Sequence, residues 1–305
     1  MPARAPLRSV PLAIAAILAA GAVAWIAGCS AVPEAVRPDA TGAASRPRTD
    51  RDRNDGDAGR FASGELVTGE LVIGELEPAT RGVRAGDLVR AAGSVARYAI
   101  VGGDGAARGG RARGDRGEVV ERVVRETGSD GRERIVLVEE RGGKVESRME
   151  LEPAGDGALT LSLVDAIGDG SRSLFATPLP FAADLAPGAP LEGASDMRVV
   201  TLPGGRARAQ GTATRTLRIA GECDLRLGDE RLRAIAIDLA FAVELDVAKA
   251  DVRARLFIVP GCGVVAEARE ESRVVLGVFR TSTRETTALL SVEGTPAPDL
   301  PTDAR

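Results

Sequence analysis

Ile235-Ala236-Ile237-Asp238-Leu239-Ala240-Phe241-Ala242-Val243-Glu244-Leu245-Asp246-Val247 is the stretch whose reading decides the fold. Every odd position is large and apolar, and every even position is small or acidic. Successive side chains of a β-strand point to opposite faces, so this is one strand with a dry face and a wet face. At about 3.3 Å per residue it spans roughly 43 Å, well beyond the usual strand length. The same period of two recurs on both sides. Val252, Ala254, Leu256 and Ile258 alternate with Arg253 and Arg255, and Val274, Leu276 and Val278 continue it. Upstream, Val145, Ser147, Met149 and Leu151 alternate with Lys144, Glu146, Arg148 and Glu150, and Leu159, Leu161 and Leu163 alternate with Thr160 and Ser162. Turn residues separate the segments: Ser129-Asp130-Gly131, Gly142-Gly143, Gly155-Asp156-Gly157 and Gly228-Asp229. No long apolar stripe at helical spacing is present.

Alternation on one face argues for antiparallel pairing rather than a parallel sheet under helices. About ten strands in one sheet must curl, split or close. The expected fold is therefore all-β: a strongly curved antiparallel sheet, or a partly closed barrel or sandwich of about ten strands, over residues 84–292. The Pro-rich stretch at 177–192 breaks the pattern, and either divides two β subdomains or crosses one edge of the sheet. A Pro-rich polar tail, 293–305, follows.

The N-terminus reads as an export signal. Arg4 and Arg8 precede an uncharged apolar run from Val10 to Ala27, which ends in Ile26-Ala27-Gly28-Cys29. In these residues the chain resembles bacterial lipoproteins, over about thirty residues. The resemblance implies a signal peptide at 1–28, a diacylglycerol on Cys29 and a membrane anchor in the cell envelope. Ser30 stands where the family's inner-membrane retention signal puts Asp. This implies the periplasmic face of the outer membrane in a host with two membranes. Residues 29–63, rich in Ala, Pro, Arg, Asp and Gly, have little to bury and are expected to form a disordered tether. Asp50 to Gly56 looks at first like a calcium loop, but its glycine comes one place late and Phe61 holds the twelfth position. A lead-in at 64–83 carries a five-residue echo: Gly64-Glu65-Leu66-Val67-Thr68, Gly69-Glu70-Leu71-Val72-Ile73, Gly74-Glu75-Leu76. It is expected either to lead into the fold, as its first strand, or to bind a partner as a strand. Ile258-Val259-Pro260-Gly261-Cys262-Gly263-Val264-Val265 also resembles the closing strands of uncharacterised periplasmic β-sheet lipoproteins, which implies a fold and no activity.

Composition excludes several functions. The 305 residues hold 40 Lys+Arg and 44 Asp+Glu, for a net charge of −4, which speaks against a nucleic-acid partner. There is no histidine, so histidine bases, Ser-His and Cys-His pairs and histidine metal sites are all absent. Asp238, Glu244 and Asp246 share the polar face of one strand, but aromatic residues make up only 3% of the chain, too few for the platforms of a sugar cleft. Glu139 and Glu140, or Glu270 and Glu271, are strand neighbours that point oppositely, and the carboxylates are expected mostly on wet faces. The Gly/Arg loop from Gly102 to Gly117 lacks the third glycine and the helix of a dinucleotide site. No catalytic residue, metal or cofactor is read from the sequence.

Cys223 and Cys262 remain as a pair, and an oxidising envelope invites a disulfide, worth about 4 kcal/mol in the chain-entropy model. A simple meander places Cys223 opposite Ile237, and Ile237 opposite Cys262. The cysteines are then two strands and roughly 9–10 Å apart, beyond the disulfide reach of about 7 Å. Bridged and unbridged states both stay open. The functional expectation is a lipid-anchored envelope protein acting without catalysis, as a structural or interaction module. The alternative is a carrier or chaperone that holds an acyl chain or a lipoprotein against Ile235, Ile237, Leu239, Phe241, Val243, Leu245 and Val247. A cavity above about 300 Å³ on that apolar face would favour the carrier, and a filled interior the module.

Overall fold

The structure, a computed structural model, describes residues 71–103, 117–128, 130–275 and 279–294. The signal segment, Cys29, the tether, the first copy of the echo, most of the Gly/Arg loop and the end of the tail lie outside these residues. The strands are β1 (Leu71–Ile73), β2 (Val95–Gly103), β3 (Glu118–Thr127), β4 (Glu133–Arg141), β5 (Lys144–Ala154), β6 (Ala158–Ala166) and β7 (Ser171–Ala182). They continue as β8 (Leu191–Thr201), β9 (Ala207–Leu227), β10 (Glu230–Leu245), β11 (Ala248–Val259), β12 (Gly263–Val275) and β13 (Phe279–Glu293). Among the described residues one short helix, α1 (Ala85–Leu88), precedes β2.

All the strands belong to one antiparallel sheet in the order β1-β9-β10-β11-β12-β13-β2-β3-β4-β5-β6-β7-β8, and β8 pairs again with β9. Strands β2 to β13 therefore form a closed twelve-strand barrel, with β1 added outside the ring. The all-β expectation holds, and closure is complete rather than partial. Closure suits the alternation: a curved sheet with one dry face hides that face by meeting its own edge, which also removes the open edges. The stretch at 177–192 divides nothing, because β7 runs through Thr177 to Ala182 and β8 starts at Leu191 within the same sheet. The tail starts later than expected, since β13 continues to Glu293.

The decisive strand is β10, longer than expected at its start. Ile237, Leu239, Phe241, Val243 and Leu245 are all buried, Asp238 is half-buried and Ala240 and Glu244 are exposed. Val247 falls in the turn after β10 and is only partly buried. The dry and wet faces do not persist at the other end, where Ala234, Ile235 and Ala236 are all fully buried. That change coincides with a bulge. Ile219 pairs with Ile237 and Gly221 with Ala236, leaving Ala220 as an extra residue on β9.

The registers correct the expected meander. Cys223 lies opposite Ala234, and Ile237 opposite Leu256, because the chain turns at Gly228-Asp229 and Asp246-Val247, earlier than a simple meander assumes. Cys223 and Cys262 are not bridged in this structure.

One end of the barrel is covered by the segment between β1 and β2. Val83 pairs with Leu185 after β7, and Ala85 N–H donates to the Asp184 carboxylate at 2.9 Å. On the far side, Asp87 accepts from Gly261 N–H at 2.8 Å, and the Arg90 guanidinium donates to the Val264 carbonyl at 2.7 Å. Strands β7 and β11–β12 are not neighbours in the ring, so a segment bonded to both must cross its mouth.

Close backbone approach makes one glycine on β9 obligatory. A Cβ on Gly211 would stand 1.9 Å from the Glu244 carbonyl oxygen on β10. Gly211→Ala is therefore expected to destabilise the barrel by about 2 kcal/mol, as overpacking against rigid backbone does. A urea midpoint unchanged from wild type would contradict this contact.

Candidate functional site

Residues directly opposite in adjacent strands share a face, so the register shows what points into the barrel. From β5 through β11 the inward rows are largely apolar, with Arg215 on β9 a charged exception: Met149 and Leu151, Leu161 and Val164, Leu179, Met197 and Val199, Leu217, then the β10 row. From β12 through β4 they become charged. Leu256 on β11 faces Glu267 on β12, which faces Thr287; Ala254 faces Arg269, which faces Glu285. Ala96 on β2 faces Glu121 on β3, which faces Glu139 on β4. A charged half therefore completes the ring.

The charges in that half are deeply buried. Glu121 is 1% exposed, Glu139 3%, Glu267 2% and Arg269 1%. Arg269 reaches Glu271 at 3.2 Å, Arg141 pairs with Glu139 at 2.8 Å and lies 3.8 Å from Glu285, and Arg90 lies 3.8 Å from Glu121. Arg90 also donates to the buried Tyr98 hydroxyl and stands 5.7 Å from its ring centre. Both carboxylate oxygens of Glu267, Oε2 of Glu121 and the Ser147 hydroxyl are buried without a hydrogen-bond partner.

Burial governs how these acids hold protons. It pushes Glu121 up to about 8, against the pull of Arg90. It pushes Glu285 up to about 7, against Arg141 and Arg269. Glu139 and Glu267 are raised for the same reason, although Arg141 and Arg269 stand nearby. The same desolvation lowers Arg269. At neutral pH the group therefore carries fewer negative charges than its carboxyl count implies.

This corrects the expectation that carboxylates keep to wet faces. The correction was readable in part, because Glu121 continues the apolar row of Val119 and Val123, and Glu139 that of Ile135 and Leu137. The β12 run Glu267-Ala268-Arg269-Glu270-Glu271 gives no such signal, since both of its faces read as polar.

Asp238, Glu244 and Asp246 do not gather into an acid–base site. Asp238 is held between Arg218 at 3.0 Å and Arg255 at 2.8 Å, its register partners on β9 and β11. Glu244 pairs with Lys249, and Asp246 accepts from Gln210 N–H at 3.4 Å. Among the described residues no group of three or more Cys, Asp or Glu side chains is arranged to hold a metal ion. A depression of about 320 Å³ lies on the wall of β9–β12 beside Thr212, Thr214, Ala242 and Ser272. These are on the wet face, opposite to the apolar row.

No family model matches this chain, and no curated protein matches it. A solved structure, a candidate exported protein with a YmcC-like fold from Bacteroides fragilis, is similar at a TM-score of 0.36 and 11% identity. The similarity covers 72% of this chain and 99% of that one. At that identity and score it says nothing of function.

Ile235 to Leu245 is core in this barrel, sealed with the rows of β9 and β11. Of the inward charged groups, Glu121, Glu139, Glu267 and Arg269 are at most 3% exposed, whereas the Arg141 and Glu285 side chains are 28% and 11% exposed.

Proposed function

We propose that this protein is a lipid-anchored component of the cell envelope, held at the periplasmic face of the outer membrane through Cys29. Its barrel acts there as a non-catalytic structural or interaction module. The observation that carries this reading is the filled interior. Of the row expected to line a ligand pocket, Ile235, Ile237, Leu239, Phe241, Val243 and Leu245 are at most 6% exposed, and Val247 is partly buried. The described depression opens on the wet outer wall instead. A carrier needs room for an acyl chain against that row, and a module needs only an outer surface. The buried carboxyls support the same view, since acids shielded from solvent meet no substrate.

The anchor supports the location. Two or three acyl chains hold a protein stably, because each buried methylene contributes about 0.8 kcal/mol. Expressed in a two-membrane bacterium fed an alkyne fatty acid, the full chain is expected to take up label and to sediment with outer membranes. Cys29→Ala is expected to lose the label and the sedimentation together. Equal labelling of the two proteins would remove the anchor from Cys29. Native mass spectrometry of the barrel provides a separate check: a lipid retained in the fold would overturn the module in favour of the carrier.

A further inference from the structure

One strand of the charged half carries four alternating charges on a single face. Glu267, Arg269, Glu271 and Arg273 are every second residue of β12 and so share its inner side. The registers with β11 and β13 run unbroken from Ala266 to Val274, so nothing displaces them from that side. Consecutive members stand about 6.6 Å apart along the strand, which puts Arg269 within side-chain reach of the acid on either hand. It is bonded to one of them. Arg269 donates to Glu271 at 3.2 Å, and Arg273 donates to the other oxygen of the same carboxylate. Both oxygens of Glu267, on the other hand of Arg269, are buried without a hydrogen-bond partner. Glu271 thus takes two guanidinium donors and Glu267 takes none. Glu267 is 2% exposed and Arg269 1%. A neutral carboxyl tolerates that arrangement, whereas an ionised carboxylate shut in a dry interior needs a donor.

We propose that Glu267, Arg269 and Glu271 form a two-position switch: Arg269 bridges to Glu271 while Glu267 holds a proton, and turns to Glu267 when that proton is lost. Ionisation releases one proton to solvent, and Glu271 is left with Arg273. Neither position strands a charge. In the first, two arginines share one carboxylate. In the second, each carboxylate has an arginine of its own. The groups facing Glu267 set where the change occurs. Leu256 on β11 and Thr287 on β13 flank it in register and add no charge. Glu285 on β13 and Glu139 on β4 oppose a negative charge there, while Arg141 on β4 and Arg269 favour one. Tyr98 on β2 is also within electrostatic reach of Glu267. Burial outweighs the two arginines and keeps the proton on Glu267 well above the usual carboxylate range. The element that responds is the inner row of β12, whose Arg273 end is the more open, with that side chain 22% exposed.

Nuclear magnetic resonance of the whole chain between pH 5 and pH 10 tests this, reading the Glu267 and Glu271 carboxyl carbons and the Arg269 Nε–H. The Glu267 carboxyl and the Arg269 Nε–H are expected to change with one common midpoint, while Glu271 stays ionised throughout. Glu267→Gln has the shape of the neutral acid and is expected to hold Arg269 on Glu271 at every pH. Arg273→Gln removes the cation that Glu271 keeps in the second position. It is expected to hold Arg269 back and to raise the Glu267 midpoint by about one pH unit. Four results would overturn the proposal. Glu267 ionises while Arg269 stays on Glu271, or Glu267 keeps its proton throughout. Arg269 titrates in Glu267→Gln as it does in the wild type, or Arg273→Gln leaves the Glu267 midpoint unmoved.

Discussion

Arg215→Ala is expected to destabilise the barrel by about 3 kcal/mol, because it removes the donors from two backbone carbonyls in a dry interior. Arg215 points inward from β9 between Gly193 on β8 and Phe241 on β10. Strand β7 pairs with β8 only from Ser171 to Phe175. Past that point the Arg215 guanidinium stands in for a strand, donating to the Pro180 carbonyl and, at 2.7 Å, to that of Phe181. It also stacks 4.5 Å from the Phe181 ring centre. Glycine at 193 permits this, since a Cβ there would meet the Pro180 ring at 2.2 Å. Burial lowers the arginine to about 9, so it is charged at neutral pH in the folded and unfolded chain alike. Its desolvation cost is then constant and is offset by the two bonds and the ring. An ammonium is a point charge without the planar fork, so Arg215→Lys should recover less than half of the loss. Urea unfolding at pH 7 measures both variants. An alanine variant within about 0.5 kcal/mol of wild type would mean that the carbonyls find other donors.

The barrel is also expected to be more stable at pH 5.5 than at pH 8, the reverse of ordinary acid denaturation. Glu121 and Glu285 bind protons more tightly when folded, at about 8 and about 7, than an unfolded glutamate at about 4.3. Between the unfolded and folded values the native state holds the extra proton, so stability falls as pH rises, by up to about 1.4 kcal/mol per pH unit for each group. Glu139 and Glu267, also raised, add to the same slope. Glu222 works in the opposite direction. Burial pushes it up, but hydrogen bonds from Thr80 and the nearby Arg81 and Arg233 hold it below the usual range. Its contribution is lost only in more acid solution. The stability maximum should therefore lie near pH 5, and Glu121→Gln should flatten the slope between pH 6 and 8. A midpoint that rises steadily from pH 5.5 to 8 would show that these carboxyls ionise freely in the folded protein.

Legibility differed by region for physical reasons. Where one face was apolar and the other polar, as in Ile237 to Leu245 or Ser147 to Leu151, the alternation identified both the strand and its buried side; Val145, expected on the same side, is 41% exposed, past the register shift at Glu139 and Glu140. It failed where both sides are buried, as at Ala234 to Ile237, because a strand with two dry faces has no period to read. It failed again along β12, where arginines and glutamates point inward and are paired with strands distant in sequence. Arg141 meets Glu285 across the barrel, and nothing near either residue in the chain announces the other. The cysteine register differs from the simple meander because each earlier turn displaces every cross-strand partner that follows, by three residues for Cys223 and by six for Ile237.

By itself the sequence determined the class of structure: a period of two, broken by glycine turns and unaccompanied by helical stripes, leaves only antiparallel sheet. It also determined which chemistry is missing, since a chain without histidine has no imidazole to use. Only the tertiary structure decided that the sheet closes and that its bore is filled. Closure depends on β13 meeting β2 and β8 meeting β9, and local alternation says nothing about which edges meet. Whether an apolar row is core or pocket depends on what stands across from it, which is a property of the closed ring and not of any strand.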